Sequence, residues 1–507
     1  MASLGVRADE AVGRLIESLI RDHHRRRLAR QGWSAALDTT PGGAVDEADT
    51  PFRGGSPVVA GSPFRGGSPV RGGSPFRGGS PVRGGNSVEI LVDGRDAFAA
   101  MLRVIERARR TVHIAGWHAT PDFAMTRGDG STTVAAALRT AAERAQVRVL
   151  LWGGAQVPVI RPTRSDARRA RDGFASIPGV RAALDEHEYL QHCHHEKLVI
   201  VDDRVAFVGG LDLTDLTNDR WDTTGHQPRP HLGWHDAAVR VEGPVVGDVA
   251  AHFAARWTEV TSEALPAPEM PTPTGTQEVR FVRTVPEKIY DFLPGGEFSI
   301  LAEYRRALAS ARRLVYLENQ FLWAPEIVDI LEDKLLRPPS PDFRMILLLP
   351  SNPSSGRDTT LGQLSRLVQA DRGRRLLPAT LQPMAGDSPG TYVHAKVGIV
   401  DDHWLTIGSA NLNAHSLFND TEANLVFGDP ELVRRTRLQL WSEHLGTDDV
   451  EGDPARLFDE QWVRIASEQL ARRHDRLPPT HGLCRLDDVS ARRDLVLGGL
   501  LGLLVDG

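Results

Sequence analysis

Two stretches of this 507-residue chain decide its fold: HEKLVIVDDRVAFVGGLD at residues 195–212 and HAKVGIVDDHWLTIGSAN at residues 394–411. They correspond position for position at an offset of 199. In each, His and Lys stand two apart at the head of an apolar run, so on a strand they point to one face while Val and Ile fill a core. An Asp follows seven residues after the His, and a small pair, Gly209-Gly210 or Gly408-Ser409, begins fourteen after it, where backbone can approach a ligand. One such spacing says little; two full copies describe a repeated device.

The duplication extends outward. ARRTVHIAGW (108–117) corresponds to ARRLVYLENQ (311–320) at an offset of 203, and each is followed by a further apolar strand, VRVLLWG (147–153) or FRMILLLP (343–350). Amphipathic runs separate the strands, so the class is α/β, with a first half over 87–263 and a second over 278–450. The Pro-rich stretch 264–277 reads as the linker between them, and 451–507 as a tail packing on the body. Within that tail, Leu495–Val505 is too short to span a bilayer, which takes about 20 apolar residues, and reads as a buried terminal segment.

Ahead of the halves lie two other segments. Residues 1–40 carry Val12, Leu15, Ile16, Leu19 and Ile20 on one helical face and end in Arg25, Arg26, Arg27 and Arg30. We read a helix packed on the body with a solvated basic end, rather than one lying on an anionic membrane. Residues 41–86 contain a hexamer repeat, SPFRGGSPVRGG, whose Gly and Pro cannot build a core and which reads as a linker.

Composition excludes several classes. Hydrophobic residues at 41% and charged residues at 25% fit a soluble globular chain rather than a disordered or multi-span one. The net charge is −6; residues 1–86 hold twelve Arg and eight acids, so the remainder carries −10, which disfavours a duplex-binding body. Two cysteines, Cys193 and Cys484, make no disulfide framework. No secretory leader or membrane span is read, so a cytoplasmic or peripheral membrane location is expected. Only four lysines stand beside 56 arginines, and two of them, Lys197 and Lys396, sit in the paired motifs, where a compact ammonium could meet a phosphate oxygen.

With both HxKxxxxD motifs in place (His195, Lys197, Asp202 and His394, Lys396, Asp401), residues 88–450 resemble the phospholipase D superfamily. GGLDLTDLTNDRWDT, GWHDAAVRVEGP, YLENQF and GSANLNAHSLFNDTE are similar to flanking segments of its two-motif members. The resemblance implies two α/β sandwich halves packed as a pseudo-dimer within a monomer, with both motifs converging on one site. It implies His195 as nucleophile, His394 as general acid and then base, and Lys197, Lys396 and Asn411 as phosphate-binding donors, with no cofactor and no metal. Glu422, twenty-eight residues after His394, takes the place of that imidazole's carboxylate partner; for His195, Asp222 at twenty-seven residues is preferred to Asp236 at forty-one. Asp202 and Asp401 belong to the signature but are expected to fix local backbone. Ser409, Ser416, Glu318, Asn319 and Gln320 are placed around the site without an assigned role. Asp212, which matches Asn411, cannot donate a hydrogen bond when ionised and is left out of the phosphate-binding set. The run His192-Cys193-His194-His195 lacks the gaps of common zinc pairs.

The function this implies is a phospholipase D that cleaves phospholipid headgroups at a membrane surface, with transfer to alcohols as a further capacity. A cardiolipin synthase, a nuclease aided by the Arg-Gly-Gly segment, and a non-catalytic phosphate-binding scaffold are the alternatives; nucleic acid is not the expected partner.

Overall fold

The computed structural model describes residues 18–34, 37, 79–156, 160–187, 192–352, 357–384, 388–486 and 489. Val12, Leu15, Ile16, the repeat units before residue 79 and the Leu495–Val505 tail lie outside them.

The first half contributes β1 (Val82–Val92), β2 (Thr111–Gly116), β3 (Gln146–Trp152), β4 (Val180–Asp185), β5 (Leu198–Val201), β6 (Val205–Gly209), β7 (Gly233–His235) and β8 (Ala237–Glu242). The second contributes β9 (Gln277–Val285), β10 (Glu297–Phe298), β11 (Leu314–Glu318), β12 (Arg344–Leu348), β13 (Leu376–Leu381), β14 (Thr391–Val393), β15 (Val397–Val400), β16 (Trp404–Gly408) and β17 (Glu422–Phe427), with β18 (Leu483–Arg485) added at the edge of β13. The strand order β4-β3-β2-β5-β6-β8-β1 is repeated as β13-β12-β11-β15-β16-β17-β9. In both, the first three strands are parallel and the rest antiparallel. The two halves are therefore one design used twice.

A helix over residues 18–30, α1, is followed by α2 (Gly94–Ile105), α3 (Val134–Ala142), α4 (Arg164–Ala175), α5 (Val245–Thr261), α6 (Ser299–Ser310), α7 (Pro325–Leu336), α8 (Arg357–Ala370), α9 (Pro430–Leu445), α10 (Pro454–Leu457) and α11 (Arg464–His474). Strand alternation sorts the side chains into layers. Leu198 and Ile200 of β5, with Val397 and Ile399 of β15, enter one central core shared by both sheets, to which α5 adds Phe253 and Trp257 and α9 adds Leu440 and Trp441. Val199 and Val201 turn the other way, onto α2, α3 and α4. Val400 does the same in the second half, onto α6, α7 and α8.

Strand β1 stitches the sheets together. Its Ser87–Val92 portion pairs with β8, while Val82, Arg83 and Asn86 pair with β9. It starts inside the last repeat copy, so the first half's first strand begins at Val82, ahead of the expected boundary at 87. Arg83 of that copy is held by Asp248 at 2.8 Å, and the buried Asn86 donates to Arg83 O and Gln277 O while accepting Val245 N at the start of α5. Asp248 and Asn86 thus hold this copy in the sheet. Residues 262–276, between α5 and β9, form no regular element.

Helix α1 is docked by its basic side chains. Arg21 binds Asp329, His24 binds Glu326 at 2.8 Å and stacks on Phe418, and Arg27 binds Glu287, Asn419 and Phe418 O. Leu28 is fully buried in the second half's outer core, whereas Arg25, Arg26 and Arg30 face solvent. Among the described residues no helix is long and apolar enough to cross a membrane. Leu28→Ala removes buried methyl groups and should lower the unfolding free energy by about 3 kcal/mol, read as a shift in denaturant midpoint.

Candidate active site

Both HxK segments arrive at the interface between the halves, and each is held there by the other half's backbone. His195 N donates to Thr421 O at 2.9 Å and Thr421 N to Cys193 O at 3.0 Å. On the opposite side β14, which leads into His394, pairs in parallel with β7, and His235 O accepts both His394 N at 2.9 Å and Ala395 N at 3.0 Å. The imidazoles are crossed in the same way. His195 Nδ1 lies 3.0 Å from Glu422 of the second half, and His394 Nδ1 lies 2.6 Å from Asp236 of the first.

This corrects the carboxylate assignments. Glu422 orients His195, not His394, and the partner of the other histidine is Asp236. Asp222 touches neither imidazole: it lies near Arg229 and His226 and receives Thr223 N at 2.8 Å. Sheet register shows why counting from the histidines misled. Ala206 faces Val241 and its equivalent Leu405 faces Phe427, which makes Asp236 and Glu422 the matching positions. Asp212 and Asp236 are 24 positions apart but Asn411 and Glu422 only 11, so the first half carries an insertion of thirteen residues. The register, with strand-to-strand spacing fixed by the sheet, outweighs distance along the chain.

The signature aspartates are removed from the reacting groups. Four strand residues separate Lys197 from Asp202, a rise of roughly 16 Å. There Asp202 accepts the backbone N–H groups of Arg109, Arg110 and Thr111, and Asp401 accepts those of Arg312, Arg313 and Leu314. Both occupy turns with positive φ, 56° and 52°, that Asp tolerates better than most residues. They are excluded from the reacting set and fix the strand ends of each half.

The lysines lie inside. Lys197 Nζ is 3.1 Å from Asp212 and donates to His195 O at 2.6 Å. Lys396 Nζ and Asn411 Nδ2 both reach Gln320 Oε1 at 3.4 Å, and Lys396 also bonds to His394 O. Ser409 donates to Glu422, and Asn319 accepts Phe321 N and Leu412 N, which places it in the loop support. Glu318 faces away, toward His235 and His444. Ser416 N is bound by Asn413 Oδ1.

A cavity of about 190 Å³ opens onto both imidazoles, Asn411 and Gln320. Trp117, Trp234 and Tyr392 supply its apolar walls, and Thr217, Asn218, Arg220 and Leu232 come from the longer first-half segment between Asp212 and Asp236. Sequence reasoning missed these wall residues, because aromatic and insertion residues carry no spacing that marks them. Arg220 sits 4.0 Å over the Trp234 ring, and burial lowers its pKa to about 10. Trp234 in turn lies 3.9 Å from the His394 ring.

Electrostatics separate the two dyads. Burial, then Lys396, Lys197, Arg220 and His195, push His394 well below the ordinary imidazole range. Burial also raises Asp236 to about 6 against the pull of the lysines. Burial would raise Glu422 as well, but His195, Lys197 and Ser409 outweigh it and lower it. With each Nδ1 committed to a carboxylate, each Nε2 is left for chemistry. His192 is gathered with His415 and Asp420, whose carboxylate also accepts Cys193 N at 2.9 Å.

The family described as "Cardiolipin synthase, PLD-like domain" matches residues 304–442. "Phospholipase D A" of Dictyostelium discoideum is 25% identical over 460 residues, covering 71% of this chain and 36% of its own length. "Phospholipase D1" of Schizosaccharomyces pombe (strain 972 / ATCC 24843) is 23% identical over 508 residues, with 75% and 37% covered. "Cardiolipin synthase B" of Salmonella typhi is 26% identical over 418 residues, with 76% of this chain and 87% of its own length covered. The match thus spans little more than a third of the two larger relatives.

The crossed dyads make a spectroscopic prediction. In ¹⁵N-resolved imidazole spectra, Asp236→Asn should move the His394 resonances and Glu422→Gln those of His195, while Asp222→Asn moves neither. His394 in the free protein should remain a neutral imidazole as pH falls through 6.5, where an ordinary histidine takes up its proton.

Proposed function

The chain is a member of the phospholipase D superfamily, and from that premise we propose that it is a phospholipase D, acting on phospholipid at a membrane surface through a covalent phosphohistidine. The observation that carries the reading is the pair of carboxylate-held imidazoles opening onto one cavity with two buried lysines behind them.

In the proposed reaction His195 Nε2 attacks phosphorus and the headgroup oxygen leaves, so that one difficult displacement becomes two easier ones. Glu422 holds the His195 tautomer and stabilises the cation that forms. His394 protonates the departing oxygen, then takes a proton from the incoming water or alcohol, which releases phosphatidic acid or its ester. Lys197, Lys396 and Asn411 hold the non-bridging oxygens while charge grows on them. A bound phosphodiester brings negative charge among Lys396, Lys197 and Arg220, which removes part of what keeps His394 neutral. Substrate itself thereby raises the proton affinity of the acid. Burial, the larger cause, remains and keeps the acid strong.

Coverage of 87% of a cardiolipin synthase supports a second reading, in which the phosphatidyl group passes to the hydroxyl of another phospholipid. The same dyads and phosphoenzyme serve both; only the acceptor differs.

Purified protein should release choline from phosphatidylcholine vesicles and, with ethanol present, form phosphatidylethanol; His195→Ala and His394→Ala should lose both. Lysine removal, as in Lys396→Ala, should cost about 10²–10³ in kcat, the scale set by loss of one oxyanion donor. With a p-nitrophenyl leaving group, which needs no proton, His394→Ala should accumulate phosphoenzyme and His195→Ala none. Phosphatidylglycerol converted to cardiolipin and glycerol, with phosphatidylcholine untouched, would select the synthase.

A further inference from the structure

Behind Asp236 lies a second polar cluster that the proposed reaction does not use. Asp93 closes β1, His226 stands on the first-half insertion, His235 ends β7 and Glu443 belongs to α9. His235 Nδ1 lies 3.0 Å from Asp93 Oδ1 and 3.6 Å from Glu443 Oε1. His226 Nδ1 is 3.6 Å from Asp93 Oδ2, and its Nε2 is 3.0 Å from Glu443 Oε1. One donor atom from each residue falls within 4.8 Å of the other three. Around a tetrahedral zinc with bonds of roughly 2.0–2.1 Å, neighbouring ligand atoms are about 3.3 Å apart, so four atoms already gathered within 4.8 Å close on an ion by side-chain rotation.

A second observation points to a missing ligand. The Glu443 side chain is only 2% exposed, yet neither of its oxygens has a hydrogen-bond partner, and Asp93 Oδ2 has none either. His226 meets Glu443 as an ion pair at 3.0 Å, outside the standard hydrogen-bond geometry that would satisfy the carboxylate. Buried carboxylate oxygens left this way carry a desolvation cost that a cation would offset. Access exists: a cavity of about 210 Å³, separate from the active-site cavity, reaches His226 and Glu443. The remaining nitrogen of His235 is held by Glu318 at 2.8 Å, which is the outer carboxylate support common to histidines that bind metals.

We propose that Asp93, His226, His235 and Glu443 bind one divalent transition-metal ion of the zinc class in a structural site. Two imidazoles beside two carboxylates suit zinc, whereas calcium and magnesium take oxygen ligands. The ion ties the end of β1, the insertion and α9 to the strand whose His235 carbonyl receives His394 N and Ala395 N. It stands one residue from Asp236 and so fixes the His394 partner without touching the reacting atoms.

The test uses tag-free full-length chain stripped with a chelator, dialysed, and titrated with zinc. One zinc ion per chain should be retained in elemental analysis, and the melting temperature should rise on its addition. His226→Gln and Glu443→Gln should each weaken zinc binding at least tenfold, while His481→Ala, in the same cavity wall but outside the ligand set, should bind as the parent does. No stoichiometric zinc and no shift in melting temperature for the parent chain would overturn the proposal and leave protonated His226 and His235 as the counter-charges. Binding undiminished in both ligand variants would overturn it equally, since the ion would then sit elsewhere. None of these readouts depends on whether the chain cleaves phospholipid.

Discussion

Each half of this protein buries a carboxylate that pairs with the other half's catalytic-motif histidine. Glu422 meets His195 and Asp236 meets His394, and both acids are fully buried. Removing one imidazole from the assembled protein would leave its buried carboxylate without that partner, a cost of several kcal/mol. The chemistry and the assembly of the halves therefore rest on the same pair of contacts. Backbone bonds from His195 to Thr421 and from His394 to His235 hold the register in which those contacts form.

Around this constraint the duplication has diverged. Lys197 faces Asp212 while Lys396 faces the amide of Gln320, so one ammonium is partly neutralised before any substrate arrives. The first half gains an insertion that walls the cavity with Arg220 and Leu232 and brings His226 to the second cluster. The second half gains α1, whose Arg27 and His24 clamp Phe418 and Asn419 just ahead of Glu422. Two copies of one fold thus provide two unlike sides to one site.

Not every residue of the repeated signature serves the reaction. Asp202 and Asp401 each gather three backbone donors at the far ends of β5 and β15. Their repetition reflects the strand geometry that aims His and Lys inward, with about 16 Å between the turn and the ammonium. Recurrence of a residue in a motif identifies a shared constraint, and only the contacts distinguish chemistry from scaffold.

The sequence by itself determined the α/β class, the duplication and the two His–Lys pairs, because these follow from local spacing and strand alternation, which a single segment encodes. Which carboxylate serves which imidazole was decided by the tertiary structure alone. Linear distance favoured Asp222, while the pairing of β6 with β8 and of β16 with β17 equates Asp236 with Glu422 and the packing of the two sheets crosses them. The folding of the last repeat copy into β1 and the gathering of Asp93, His226, His235 and Glu443 were decided there too. Contacts between residues more than a hundred positions apart depend on how sheets pack, and no short pattern in the chain records that.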